Sequence, residues 1–139
     1  MKKALKLLSM LLCVVSLVSL SSCSKENNSD GSNDQIIGKW KCTHSVVKEF
    51  DIMQEGLVTQ TDSEVGMIWE FKTGNTVITD GNSMSYTISG DNITLFCGMV
   101  RGKIVTLTST NLTLDLKGPS NSYNGVTYVD SYYYEFSKM

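Results

Sequence analysis

The most reactive side chains of the sequence are one histidine and the cysteines around it. His44 is the only histidine of the 139 residues and lies two positions after Cys42. An imidazole can activate a thiol as a nucleophile, and cysteine and histidine together bind zinc. Alternate residues of a strand stand roughly 6.5 Å apart, however, and zinc takes four ligands where Cys42, His44 and Cys97 offer three. We expect no catalytic residue, metal site or cofactor, and interpret His44 as a histidine of the core or its rim.

Aromatic side chains provide a second candidate site. Rings of tryptophan and tyrosine can line a cavity for a small ligand. The candidate ligand-binding residues are Trp40, Trp69, Tyr86, Tyr128, Tyr132 and Tyr134. Core packing in a small β-domain requires the same residue types on the same face, so core packing is the alternative. Tyr133 alternates to the opposite face and is the candidate for a surface contact.

The elements that must position these side chains are β-strands. Beyond residue 36, apolar and polar residues alternate with a period of two, and no stretch has a helical period. The first strand is predicted from Ile37 to Phe50, with Trp40, Cys42, His44, Val46 and Phe50 facing inward. Further strands are predicted at 66–72, 76–79, 84–89, 92–97, 103–108, 112–117 and 126–137. Long loops are predicted at 51–64, which has room for a short strand, and at 118–122.

About eight strands therefore follow one another through short turns. Gly74-Asn75 and Asp80-Gly81 suit tight hairpins because both positions tolerate a positive φ. A meander of this kind protects its edges by closing into an up-and-down barrel or by folding into two packed sheets. We predict an all-β, antiparallel meander that closes into a barrel. The interior of such a barrel is filled by side chains or holds one small ligand.

The barrel bears on whether Cys42 and Cys97 form a disulfide. An exported chain meets conditions that permit a bridge. Both residues are predicted to face inward, but from strands on different sides of the barrel, and a bridge needs Cα atoms within about 7 Å. A Cys42–Cys97 disulfide and two buried free thiols both remain open.

The N-terminus has the pattern of an export signal. Three lysines precede an apolar run from Leu7 to Leu20, which is shorter than the roughly 20 residues of a transmembrane helix. Leu20-Ser21-Ser22-Cys23 then resembles the lipobox of bacterial lipoproteins. The resemblance implies that the signal peptide 1–22 is removed and that Cys23 is acylated, with chains such as palmitate that anchor it in a membrane.

The segment after Cys23 is polar throughout. Residues 24–35 contain no apolar side chain, so 23–35 is predicted to be a lipidated cysteine with a disordered tether, followed by the domain at 36–139. Ser24 is not the aspartate that commonly retains enterobacterial lipoproteins in the inner membrane. We therefore expect an outer-membrane anchor, with the domain periplasmic or exposed on the surface.

Within the domain, several motifs resemble a known family. Gly38-Lys39-Trp40 at the start of the first strand resembles the lipocalin signature. Further matching pieces are Trp69-Glu70-Phe71, Tyr86-Thr87-Ile88, Gly90-Asp91-Asn92-Ile93, the run from Leu107 to Leu114, and Tyr134-Glu135-Phe136-Ser137-Lys138. In this order they resemble the small lipocalin-like lipoproteins of Bacteroidetes. The chain departs from true lipocalins because it has no C-terminal helix, and its only arginine, Arg101, is far from the last strand.

Charge and composition narrow the function. Three lysines leave with the signal peptide and no acid does, so nine basic residues face fourteen acidic ones in the mature chain. A scattered basic set of this size does not suit nucleic acid. The resemblance implies a non-enzymatic, lipid-anchored barrel that binds a small apolar molecule. The alternative is a ligand-free module whose exterior contacts a protein or a glycan.

Overall fold

The computed structural model describes residues 32–139, which form a one-turn helix followed by nine strands. The elements are α1 (Ser32–Ile36), β1 (Gly38–Asp51), β2 (Gly56–Thr61), β3 (Ile68–Lys72), β4 (Thr76–Thr79), β5 (Asn82–Ser89), β6 (Asn92–Leu95), β7 (Val100–Leu107), β8 (Asn111–Tyr123) and β9 (Val126–Lys138). A 3-10 turn, Phe96–Gly98, joins β6 to β7. The predicted signal peptide, Cys23 and most of the predicted tether lie outside the described residues. No helix in the range 32–139 is long and apolar enough to cross a membrane.

The strands close into an antiparallel barrel. From β3 to β9 each strand pairs with the next, β3 also pairs with the start of β1, and β9 pairs with β1 from Trp40↔Lys138 to Lys48↔Ser131. Eight strands thus complete the barrel. The ninth, β2, pairs with the second half of β1 and lengthens the wall at one end. The predicted antiparallel barrel is confirmed, and the alternative of two packed sheets is excluded.

A β-bulge in β1 changes which residues face inward. The register of β1 against β9 shifts by one residue between Cys42 and His44. Because strand residues alternate between faces, one extra residue moves every later side chain to the opposite face. Ser45 and Val47 are therefore buried, at 0% and 3% exposure. The prediction that His44 and Val46 share the inward face of Cys42 was wrong, since Val46 pairs with the outward-facing Tyr133.

Several strand boundaries also differ from the prediction. Strand β7 begins at Val100 instead of Lys103, and β2 occupies part of the predicted loop 51–64. Strand β6 ends at Leu95, so Cys97 lies in the 3-10 turn instead of on an inward strand position. The predicted loop 118–122 belongs to β8, where the register against β9 shifts between Lys117 and Ser120. Pro119 is tolerated in this strand because the irregular pairing there does not require its missing N–H.

The end of the barrel where β1 begins is closed by packing around Trp40. The helix α1, which forms within the predicted tether, brings Ile36 into the core, and the Trp40 Nε1–H donates to its carbonyl at 2.7 Å. Lys138 Nζ lies 4.3 Å from the centroid of the Trp40 ring and donates to the Ile37 carbonyl. Lys138, at the end of β9, therefore supplies a cation beside the signature tryptophan, a position that Arg101 does not occupy. Gly38 leaves room for this lysine, since a Cβ would lie 2.8 Å from its side chain.

A glycine pair tests the barrel wall. A Cβ on Gly102 of β7 would overlap the Asp115 carbonyl oxygen and lie 2.7 Å from Leu116 Cα, whereas a Cβ on Gly56 of β2 would meet nothing closer than 3.9 Å. We expect Gly102→Ala to lower the free energy of unfolding by about 3 kcal/mol, because β7 and β8 must separate. Gly56→Ala should change it by less than about 1 kcal/mol. Urea denaturation of both variants measures this, and equal stabilities would contradict the β7–β8 register.

Candidate functional site

The barrel interior is filled at the closed end and open at the other. The open end holds a cavity of about 380 Å³, within the range of roughly 300–1,000 Å³ that small-molecule sites occupy. Its lining consists of Glu49, Glu64, Met67, Trp69, Thr79, Leu95, Phe96, Met99, Val100, Leu116, Pro119, Asp130, Tyr132 and Tyr134. Most of these side chains are apolar or aromatic, so the cavity suits one small molecule with an apolar body.

Trp69 and Tyr134 connect the cavity to the packed half of the barrel. They project inward from β3 and β9, and their ring centroids are 5.4 Å apart. Behind them, Phe136 lies 5.3 Å from Trp69 and Phe71 lies 6.1 Å from it. Tyr132 stacks parallel to Tyr134 at 6.4 Å on the other side, toward the mouth. The aromatic cluster is thus one continuous unit, so the cavity wall is held by the core.

The mouth of the cavity carries carboxylates. Glu49 and Asp130 lie near the open ends of β1 and β9, and Glu64 lies in the β2–β3 loop. The Tyr132 hydroxyl donates to Glu49 Oε1 at 3.3 Å, and the Phe50 main-chain N–H donates to Asp130 Oδ1 at 2.8 Å. These contacts hold the acids in place beside an apolar interior.

Burial changes the acid–base and hydrogen-bonding properties of the polar groups in the cavity wall. Burial, followed by the charge of Glu49, raises the pKa of Tyr132, and burial together with Glu64 raises the pKa of Tyr134. Both phenols therefore remain protonated at neutral pH and can donate hydrogen bonds. The Trp69 Nε1–H is buried in a side chain that is 5% exposed and has no acceptor within residues 32–139. A buried donor without a partner costs free energy, and a ligand with an acceptor atom within reach of this N–H would remove that cost.

Only half of the predicted ligand-binding residues line this cavity. Trp69, Tyr132 and Tyr134 do so. Trp40 and Tyr86 are buried in the closed half, where the Tyr86 hydroxyl donates to the Lys72 carbonyl at 3.3 Å. The structure therefore divides the candidate set between a cavity wall and a packed core, which are the two interpretations that the sequence left open.

Tyr128 belongs to a third environment, at the tip of the open end. Its ring lies 4.9 Å from Phe50, and its hydroxyl donates to the Glu55 carbonyl at 3.2 Å. Tyr123 contacts the same phenylalanine, with 5.8 Å between ring centroids, and its hydroxyl donates to the Glu55 carboxylate. This tip cluster attaches the β1–β2 hairpin to the β8–β9 hairpin.

The sequence pattern did not indicate that carboxylates and aliphatic side chains line the cavity. Asp130 has the same parity as Tyr132 and Tyr134, so an acid on the inward face of β9 was visible as an exception to the alternation. Glu49 faces inward only because of the bulge in β1, and Glu64 comes from a loop. Neither position could be assigned to the cavity from its spacing.

Cys42 and Cys97 are both free thiols, so the structure has the second of the two arrangements that the sequence left open and not the disulfide. Cys42 is buried on β1, where its Sγ donates to the His44 carbonyl at 3.4 Å, whereas Cys97 is exposed in the 3-10 turn. The expectation of two buried thiols thus holds for Cys42 alone. Burial raises the pKa of Cys42 to about 11, so it stays a protonated, unreactive thiol at neutral pH.

His44 lies on the outer surface, apart from the Cys42 thiol. Its Nδ1 is 2.6 Å from Asp62 Oδ1, and Tyr133 packs edge-on against the ring at 6.2 Å. The main-chain N–H of Ser45, followed by His44, lowers the pKa of Asp62. The pair therefore fastens the β2–β3 loop to β1, and it does not form a thiol–imidazole nucleophile. Tyr133 lies on the outward face, as its alternation predicts.

Comparisons with known proteins add no assignment. Neither the protein-family models nor the curated proteins contain a match to this sequence.

The two thiols should differ in reactivity. In the unacylated mature chain, residues 24–139, Cys97 should react with an aromatic disulfide reagent at neutral pH because it is exposed, while Cys42 should stay unmodified because it is buried and protonated. Intact-mass measurement should show one adduct on the native protein and two after denaturation. Zero adducts on denatured, unreduced protein would instead show a disulfide.

Proposed function

We propose that the protein is a non-enzymatic cell-envelope lipoprotein, acylated on Cys23, whose barrel binds a small, largely apolar molecule. The observation that carries the ligand-binding proposal is the cavity of about 380 Å³ at the open end of the barrel. A domain that served only as a scaffold would fill this volume, because empty apolar space costs stability. The lipocalin-like motifs and the lipobox support the same proposal from the sequence.

The cavity opens at the end of the barrel opposite the N-terminus of the domain, which is compatible with an N-terminal lipid anchor. The chain enters at the closed end, through α1, while the cavity opens at the other end. A tether from Cys23 therefore joins the barrel on the side away from the mouth. In this proposal the ligand enters without passing the anchor, and the mouth faces the periplasm or the exterior of the cell.

A neutral fluorescent dye tests the cavity. We expect N-phenylnaphthylamine to bind the unacylated mature chain with a rise in its fluorescence, because its uncharged rings fit an apolar, aromatic lining. Leu116→Phe places a larger side chain in the cavity wall and should weaken dye binding by about tenfold, since overpacking costs about 1–3 kcal/mol.

The matched control is Leu57→Phe, the same substitution at an exposed position on β2. It should leave the dye affinity unchanged. Circular dichroism establishes that both variants keep the barrel. Absence of dye binding to the wild-type chain, or an equal loss in both variants, would contradict a ligand site in the cavity.

The anchor is tested by removing the acylated thiol. Cys23→Ala should shift the protein from the membrane fraction to the soluble fraction and remove the mass of the acyl chains, because the barrel presents no other anchor in our proposal. Cys13→Ala, in the apolar run of the signal peptide, should leave fractionation unchanged. A Cys23→Ala protein that stays with the membrane after signal-peptide removal would refute lipidation at this residue.

A surface-contact role has one observation in its favour. Ile52 and Met53, at the β1–β2 turn, are 62% and 86% exposed. Neighbouring exposed apolar side chains can form part of a surface that contacts a partner. They lie at the same end as the cavity mouth, so such a contact would accompany ligand exchange and would not replace it.

A further inference from the structure

Three polar side chains of the cavity wall have no hydrogen-bond acceptor in the protein. Trp69, Thr79 and Tyr134 all line the cavity, and they are only 5%, 8% and 7% exposed. Within residues 32–139, no hydrogen bond is made by the Trp69 indole N–H or by the hydroxyls of Thr79 and Tyr134. Because buried donors are normally satisfied, three unpaired donors in one wall indicate an acceptor that comes from outside the chain.

The three donors are neighbours in the barrel. Thr79 on β4 is the direct partner of Trp69 on β3, and both side chains are buried. The ring of Tyr134, on β9, packs against the Trp69 ring with 5.4 Å between their centroids. Donors this close can share one ligand atom, since a carbonyl oxygen accepts two hydrogen bonds.

The hydroxyls differ from the indole in their access to the cavity. Trp69 Nε1 is the only buried, unpaired polar side-chain atom of residues 32–139 that solvent cannot touch. The unpaired hydroxyls of Thr79 and Tyr134 are therefore open to the cavity that they line. Burial, followed by the charge of Glu64, raises the pKa of Tyr134, so this hydroxyl keeps its proton at neutral pH and donates it.

An uncharged acceptor fits these donors better than an ion does. An ammonium group has no acceptor atom, so it would leave all three donors unpaired. The lining side chains that the structure describes include no lysine, arginine or histidine to neutralise an anion. Glu64 lines the cavity without an ion pair in residues 32–139, and a carboxylate beside Tyr134 would meet this negative charge in a low-dielectric interior. A carbonyl oxygen accepts the same hydrogen bonds without a charge.

We propose that the ligand of this cavity is a neutral, largely apolar molecule with a carbonyl group at its buried end. The carbonyl oxygen accepts from the Tyr134 hydroxyl, and a small rotation of the neighbouring indole lets the Trp69 N–H donate to the same oxygen. The apolar body lies against Leu95, Val100 and Leu116. This assignment rests on the proposed function and narrows it from an apolar molecule to a carbonyl compound.

Benzophenone and diphenylmethane form a probe pair that isolates the carbonyl oxygen. They share their phenyl rings and differ in the C=O or CH2 group that joins them. We expect Tyr134→Phe, which removes only the hydroxyl, to weaken benzophenone binding to the unacylated mature chain by about fivefold, or about 1 kcal/mol. The affinity for diphenylmethane should not change. Displacement of N-phenylnaphthylamine measures both affinities.

Tyr133→Phe serves as the control for this variant. It is the same substitution at the next position of β9, outside the cavity lining, where the hydroxyl donates to Glu135 Oε1 at 2.9 Å. It should change neither affinity, and circular dichroism verifies the fold of both variants. Diphenylacetate, an anionic probe with the same rings, should bind the wild-type chain at least about tenfold more weakly than benzophenone.

The indole N–H resonances report the second hydrogen bond directly. The chain has two tryptophans, and the Trp40 N–H already donates to the Ile36 carbonyl at 2.7 Å. In proton–nitrogen correlation spectra, benzophenone should move the Trp69 signal further downfield than diphenylmethane does, because only the ketone supplies an acceptor. The Trp40 signal should respond equally to both probes, and Trp69→Phe identifies the signal that belongs to Trp69.

The outcomes separate the carbonyl assignment from ligand binding itself. An unchanged benzophenone affinity in Tyr134→Phe, an equal loss for both probes, or tighter binding of diphenylacetate than of benzophenone overturns the carbonyl assignment, while dye binding still supports an apolar ligand. Equal shifts of the Trp69 signal with both probes also overturn it, and this readout on the wild-type chain decides if Tyr134→Phe does not fold. If the dye and all the probes fail to bind, the ligand-binding function itself is overturned.

Discussion

Pairing of β1 with β9 closes the barrel and fixes the positions of both its ends. An open meander would leave the N–H and C=O groups of its first and last strands exposed as edges, and closure removes both edges together. Closure requires β1 to be long, because it must pair with β9 on one side and with β3 and then β2 on the other. The same pairing places Lys138 over Trp40, so the seam of the barrel and its sealed end are one structure.

The closed end of the barrel is packed with side chains, whereas the open end keeps a cavity. Around Trp40, Phe71 and Phe136 the interior is packed, and this half provides the hydrophobic stabilisation that a domain of this size needs. Beyond Trp69 and Tyr134 the strands continue, but the side chains no longer meet across the barrel. The tip cluster of Phe50, Tyr123 and Tyr128 supports the longer strands there. The packed half and the tip cluster together keep the cavity open in a small protein.

The bulge in β1 determines which of its side chains reach the cavity. By shifting the register after Cys42, it turns His44 outward, where it fastens the β2–β3 loop through Asp62. The same shift turns Ser45 and Glu49 inward. Ser45 then holds the backbone of Glu64, and Glu49 reaches the mouth of the cavity. One extra residue therefore removes a thiol–imidazole pair from the interior and supplies the cavity with acids.

The sequence favoured closure of the antiparallel meander into a barrel, although two packed sheets also satisfied its pattern. The period-two alternation, the turns and the inward parity of Tyr132, Tyr134 and Phe136 on β9 could be predicted from it directly. These follow from local rules, since hairpins join neighbouring strands and alternation assigns their faces. The tertiary structure alone separates the aromatic residues that line the cavity from those of the core. Trp40 and Trp69 have the same pattern and are direct partners across β1 and β3, yet only Trp69 borders the cavity. The tertiary structure also decided the position of Glu49 and the separation of Cys42 from Cys97, since a bulge and a short β6 change faces without a signal in composition. Periodicity reports which side of a strand is buried, whereas the space left between opposite strands depends on all eight at once.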